Sequence, residues 1–326
     1  SINLNSKSTN NKSEFQIRSG SFNQLSLASS YGTKDMLISG EIFSSKNKFS
    51  YLNDNQTKLN TSDDFYTERQ NTQVKKHFLL GKFNLPNSKG NLLLRSQNYN
   101  SGLGNVQNSA TSAYIEQSSH LISYNTDLNN WNIVFSINKS NHEYFDLNSE
   151  IGLGADSQEL NYQDTHLFLT QKYKHGNIEN ITRLEWTGLN ISGTSQNNSD
   201  TFTLDKSESS FLVSDTFNWN NVIAYGSYGQ SSDSNQMFEY ITAGLSNTIH
   251  HTDNLSSAFA INKKVRIPTL SERFINQGSA IPNSDINPEK FNELNLKIGF
   301  NFDNFIGAIE AFYRRSEDTI ILSYDA

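Results

Sequence analysis

Cysteine is absent from the 326-residue chain. That excludes a disulfide framework, thiolate catalysis and a thiolate metal site. Proline is scarce: of four, three (Pro268, Pro282 and Pro288) fall in one stretch, Arg266 to Phe300. There is no run of 18 apolar residues, so no segment reads as a membrane-spanning helix. The opening SINLNSKSTN has neither the basic start nor the apolar core of a signal peptide. Basic blocks are missing too. The 26 Lys and Arg and 33 Asp and Glu are dispersed, the net charge is -7, and nothing in the pattern points to nucleic acid. Enzyme motifs are lacking: YGSYG has the wrong spacing for a nucleophile elbow, and GLGADS and SGLGNV lack the third glycine of a dinucleotide loop. The pair His250–His251 is too small a ligand set for a metal and reads as a solvated turn.

What remains is polar and aromatic at once. The mean hydropathy is -0.61, yet 12% of residues are aromatic, with 21 Phe and 14 Tyr. Disordered chains are poor in aromatics; sheets with one apolar and one wet face are not. Period-two alternation marks such strands. Trp131, Ile133, Phe135 and Ile137 share one face, and Leu294, Leu296, Ile298 and Phe300 another. The same holds for Leu255, Phe259 and Ile261, and for Met36, Ile38 and Ile42.

The connections carry the architecture. Tight turns rich in Asn, Asp and Gly fall at 31–34, 85–90, 127–130, 174–177, 218–221, 251–254 and 301–304. Between them lie longer polar connections, about 45–72, 100–115, 141–161, 190–206, 231–236 and 265–290. In an up-and-down meander this alternation puts all tight turns on one rim and all long loops on the other, as in outer-membrane barrels. The expected fold is all-β: a transmembrane antiparallel up-and-down barrel with strands of about 10–13 residues. About 15 strands are legible. A soluble β-solenoid or surface adhesin would repeat at a fixed period, and no such period is present.

The proline-bearing segment adds a family resemblance. RIPTLSERF followed by PNSDINPE resembles a signature of TonB-dependent outer-membrane receptors, carried here by Arg266, Pro268, Thr269, Leu270, Glu272, Phe274, Asn283, Asp285, Ile286, Pro288 and Glu289. Ser284 stands where proline is usual and Pro282 where glycine is usual. SINLNSKS is similar to the last strand of the family's plug domain, IRSGSFNQLSLASSYG to its first barrel hairpin, and AIEAFYRRSEDTI to the strand after the signature. The resemblance implies a barrel of about 22 strands around a plug, so the chain is expected to hold roughly 15 of them. Residues 1–12 would end the plug and 13–326 form a partial barrel.

The resemblance further implies an outer-membrane location and active uptake of a scarce nutrient such as a ferric siderophore or cobalamin. The implied partners are a TonB-type energy-coupling protein, reached through the plug and N-terminus, a metal chelate or cobalamin ligand, and outer-membrane lipid. A passive porin is the alternative. Mouth aromatics supply apolar area with polar tips; the candidates are Tyr51, Phe65, Tyr66, Tyr99, Tyr114, Tyr144 and Phe145. Arg266 and Arg273 are placed to pair with ligand carboxylates or phosphates. No cofactor is required. The oxygen-rich loop carrying Asp54, Asn55, Asp63, Asp64 and Glu68 suits Ca²⁺, which takes about 6–8 oxygen ligands.

Overall fold

The computed structural model of the chain describes residues 12–53, 61–62, 64–85, 89–104, 110–148, 150, 156–197, 200–233, 236–274, 283–302 and 305–320. The first strands are β1 (Lys12–Gly20), β2 (Gln24–Gly32), β3 (Met36–Ser45), β4 (Ser50–Asn53), β5 (Phe65–Glu68), β6 (Val74–Leu85), β7 (Gly90–Gly102), β8 (Tyr114–Leu128) and β9 (Trp131–Phe145). The rest are β10 (Ser157–His175), β11 (Ile178–Asn197), β12 (Asp200–Trp219), β13 (Val222–Asp233), β14 (Met237–Thr252), β15 (Leu255–Arg266), β16 (Glu289–Phe302) and β17 (Phe305–Glu317). One short helix, α1 (Leu270–Phe274), lies between β15 and β16.

Fifteen strands form one antiparallel meander in sequence order, with β1 and β17 at its edges; β4 and β5 pair separately inside the 46–73 connection. The expected strand number therefore holds. A twisted sheet of more than roughly ten strands curls; the face on which α1 packs, with Leu160 and Ile191, is the inner face and the other the outer face. The tight turns work as their composition requires: Asn129, Gly176 and Asn220 all take positive φ.

The two faces differ on most strands. The outer face carries Ile17, Leu27, Ile42, Phe135, Trp186, Phe211, Ile241, Ile261, Leu294, Leu296 and Ile298, all more than a third exposed. The register shows how this apolar band runs. Ile17, Leu27 and Ile42 share one hydrogen-bonded row with His77, Asn98, Ser118, Asn141 and Asn161. A second row begins apolar with Phe135, Leu167, Trp186 and Phe211, then turns polar at Gln230 and Glu239. The band thus cuts diagonally across the rows. A level apolar belt on tilted strands must do this, because each strand is displaced along its neighbour. Leu294 to Phe302 on β16 covers roughly 27 Å along the strand at ~3.4 Å per residue, about 21 Å of height at a tilt of ~40°, most of a band about 25 Å tall.

Strand length departs from expectation. β10 has 19 residues and β11 and β12 have 20 each, against the 10–13 anticipated. Residues 190–197 and 200–206, read as loop, are paired strand. Their Asn, Ser and Thr side chains are polar on the outer face, which resembles loop composition. The backbone groups are nonetheless satisfied by the neighbouring strand, and pairing needs no apolar side chains. The two rims thus differ both in loop length, with the long connections 46–73, 103–113, 146–156 and 267–288 on one rim, and in how far β10–β12 run on past the apolar band.

Candidate functional site

At the rim opposite the tight turns, the segment after β15 folds back over the inner face. Leu270 is 2% exposed and packs with Leu160 on β10 and Ile191 on β11; Tyr162, Leu189, Leu204 and Phe274 border the cluster. α1 starts in a capping box: the Thr269 amide donates to Glu272 Oε2 at 2.8 Å and the Glu272 amide to Thr269 Oγ1 at 3.3 Å. Arg266 Nη1 donates to both oxygens of Glu272 at 3.0 Å, and its Nε donates to Glu289, the first residue of β16. Burial opposes ionisation of Glu272, but the Thr269 amide and the Arg266 guanidinium together hold it below the ordinary carboxylate range.

Arg273 ties α1 to the wall. Its guanidinium pairs with Asp233 at the end of β13, with side chains 2% and 0% exposed. The Arg273 Cζ lies 4.8 Å from the centre of the Phe274 ring and 5.3 Å from that of Phe238. Lys206 Nζ lies 4.6 Å from the centre of the Phe274 ring. Among the described residues the Arg273 Nε and Nη2 atoms are buried without a hydrogen-bond partner. Within that set, ring contact and one carboxylate carry the charge.

The remaining rim connections are chained to one another. Lys46 N donates to Phe22 O at 3.2 Å, Thr72 Oγ1 to Lys46 O at 3.1 Å and the Gly104 amide to Asn71 O at 2.7 Å. Gly104 must be glycine, because a Cβ there would overlap the Gln70 carbonyl. The next link is a carboxylate. Glu150 Oε2 accepts the amides of Thr111 and Ser112 at 2.9 Å and Ala113 at 3.2 Å, while Oε1 accepts Thr111 Oγ1 at 2.7 Å. Asp146, fully buried, accepts the Glu150 amide at 2.7 Å and the Tyr144 hydroxyl at 3.0 Å.

The Ser112 amide, the Thr111 hydroxyl and the Thr111 amide lower the Glu150 carboxyl from 4.5 to about 2. A carboxylate held below its unfolded value contributes stability that is complete above 4.5 and lost as pH falls through about 2. Amide exchange at Thr111–Ala113 should therefore stay protected at pH 4 and become fast only below that window. In Glu150→Ala it should be fast at every pH. Protection that is lost together with bulk carboxylate titration would contradict the clamp.

The candidate residues fall in different places. Tyr99 and Tyr144 are on the inner face, Tyr99 with Lys76 Nζ 5.4 Å from its ring centre. Tyr114 and Phe145 stack at 5.3 Å on the outer face. Tyr51 is half-buried in β4 beside Phe49, and Phe65 and Tyr66 are exposed on β5. The structure brings Arg266, Glu272 and Glu289 together, and gives Arg266 and Arg273 carboxylate partners within the chain. Asp54, Asn55 and Asp63 lie outside the described residues, as does Pro282. Among the described residues, Asp64 and Glu68 belong to no group of three or more potential metal ligands. Asp233, Asp146, Glu150 and Lys206 were not expected. Asp233, Glu150 and Lys206 act on residues tens of positions away, so nothing local marks them; Asp146 acts on Tyr144 and Glu150 close by, within a connection read only as a polar loop. The Thr-x-x-Glu of Thr269–Glu272 is a local pattern that could have marked the start of α1, inside a stretch read from the sequence as loop.

No protein-family model matches the chain, and no curated protein matches it in sequence. Solved structures do. The copper transporter OprC superposes with a TM-score of 0.64 at 10% identity, over 94% of this chain and 54% of its own. The siderophore receptor PirA from Acinetobacter baumannii gives 0.64 at 10% identity, over 96% and 54%. The ferric yersiniabactin uptake receptor FyuA from Yersinia pestis gives 0.58 at 9% identity, over 96% and 56%. At such identity the likeness establishes the fold alone: the chain forms an antiparallel up-and-down β-barrel wall like part of the wall in these structures. It spans about half the length of the solved structures it matches.

Proposed function

We propose that the chain is the barrel wall of an outer-membrane receptor that captures a metal chelate, such as a ferric siderophore, and imports it with TonB-coupled energy. Its role is transport rather than catalysis. The observation that carries this reading is the sheet itself. It matches siderophore and copper transport proteins over more than nine-tenths of its length, and it adds a rim on which α1 and the loops are fastened together. Such a rim can hold a ligand against a fixed wall, since the inner-face aromatics and polar groups are already positioned. Calcium at Asp54, Asn55, Asp63, Asp64 and Glu68 remains part of the proposal and is tested by calorimetric titration of the full-length protein.

The decisive measurement is uptake. Cells whose only receptor is the full-length protein should accumulate radiolabelled ferric chelate, and should stop when the coupling protein is deleted or the inner membrane is depolarised. Uptake that persists in both cases would assign a passive pore instead.

Orientation gives an independent check. Loop backbones tolerate insertion because their polar groups are already solvated. An epitope inserted after Asn148, on the rim of α1, should bind antibody on intact cells. One inserted between Asn220 and Asn221, in a tight turn, should bind only after the outer membrane is permeabilised. Equal labelling on intact cells would mean that the sheet does not separate the two compartments.

A further inference from the structure

Close to the α1 rim, the inner face holds a cation between two rings. Phe43, Lys76 and Tyr99 are paired in one register row on β3, β6 and β7. The row runs on through Gln117 and His142 to Leu160, on which α1 packs. Lys76 Nζ lies 5.4 Å from the centre of the Tyr99 ring and 5.9 Å from that of Phe43. The side chain is exposed, and among the described residues no carboxylate pairs with it. Rings attract a cation without neutralising it, so the charge stays available. The next row towards the rim, Ser45, Val74, Ser101, Ile115 and Tyr144, is uncharged. In the row on the other side, Glu41 accepts the Ser26 hydroxyl at 2.8 Å. Across β10–β13 the same face turns acidic, where Asp164, Glu208 and Asp233 share a row with Leu189.

We infer that Lys76, with Phe43 and Tyr99, is the subsite for an aryl-oxide arm of an anionic ferric chelate. The inference rests on the receptor reading above and adds the chemical class of the ligand. Three properties select that class. First, charge: along β3–β9 an anion descending from the rim passes no carboxylate on this face of the strands before Lys76, while the carboxylates of β10–β13 turn it towards that side. Second, shape: the two rings stand one strand to either side of Lys76, about 4.8 Å away across the sheet. A planar aromatic arm can therefore stack on one of them and bring its oxygens to Nζ. Third, hydrogen bonding: Gln117 and His142, next in the row, carry donors for further oxygens. A neutral hydroxamate chelate would leave the Lys76 charge unanswered, and an aliphatic carboxylate would leave the ring faces unused.

The test titrates the full-length protein in detergent with two ferric complexes, an anionic tris-catecholate and a neutral tris-hydroxamate. Wild type should bind the catecholate more tightly. Lys76→Met, which keeps the length of the side chain and removes its charge, should weaken catecholate binding roughly tenfold and leave hydroxamate binding unchanged. Lys76→Arg should retain the catecholate. Added salt should weaken catecholate binding more steeply in wild type than in Lys76→Met. If Lys76→Met does not fold, Lys76→Gln is held to the same comparison. No catecholate binding by wild type, a preference for the hydroxamate, equal weakening of both complexes in the variant, or weakening of neither would overturn the inference. The receptor reading is judged apart, by uptake. If import of either complex stops on deletion of the coupling protein while Lys76→Met binds both like wild type, only the subsite fails. If import continues without the coupling protein, the receptor reading fails and takes the subsite with it.

Discussion

Replacing Asp233 by Ala should cost the folded protein roughly 3–5 kcal/mol, the usual consequence of stranding one member of a buried ion pair. Arg273 is 2% exposed, and two of its nitrogens lack hydrogen-bond partners among the described residues. Without Asp233 the described contacts left to its charge are the rings of Phe238 and Phe274. A guanidinium in that position has one escape, which is to pull α1 off the inner face and reach water. The loss should therefore appear twice: as a lower midpoint in a urea titration of the vesicle-inserted protein, and as fast amide exchange across 270–274. Arg273→Met in the same background should restore much of the stability, because a buried pair replaced by apolar side chains is often neutral. A loss under about 1 kcal/mol, the range of exposed pairs, would show that the pair does not hold α1.

Leu296→Arg should destabilise insertion by roughly 2–4 kcal/mol, the cost of a cation on the lipid face near the midplane. Leu296 is 49% exposed and lies in a row with Phe259 and Ala311. Its neighbour Asn295 points to the opposite face, in a row with Ala260 and Phe312. Asn295→Arg is the control and should cost much less. If the two variants cost the same, or Asn295→Arg costs more, the apolar face is not the one in lipid.

Much of this was legible in the sequence because a strand writes its face at every second residue. The alternation at 131–137 and 294–300 named the outer wall, and Asn129, Gly176 and Asn220 marked turns that need positive φ. Glu289 opens β16 directly after Pro288. Strand ends were legible only where apolar residues stop at a turn. At the other rim, β11 and β12 continue in Asn, Ser and Thr, and no local pattern separates a polar strand from a polar loop when the pairing partner is what decides. The rim clamps were not legible for a related reason. Glu150 meets Thr111–Ala113 across nearly forty residues, and Arg273 meets Asp233 across forty. A single sequence records the two partners without recording their contact. The capping box is the exception, since both partners lie within one turn.

The diagonal course of the apolar band bears on how such a chain reaches its membrane. No strand gathers its apolar side chains into a long stretch; runs such as Leu92–Leu94, Ile133–Phe135 and Leu167–Leu169 end after a few residues. An insertion machinery that responds to the apolar content of about 19 consecutive residues, as a translocon does, meets Leu294, Leu296 and Ile298 together with Glu293, Asn295 and Lys297 and finds too little to retain. The polar extensions of β10–β12 dilute the signal further. The segment can therefore be exported through a helix-selecting membrane as an aqueous polypeptide. Its lipid affinity emerges only when pairing sorts the side chains to two faces, so that the belt is created by folding and is absent from the chain in transit.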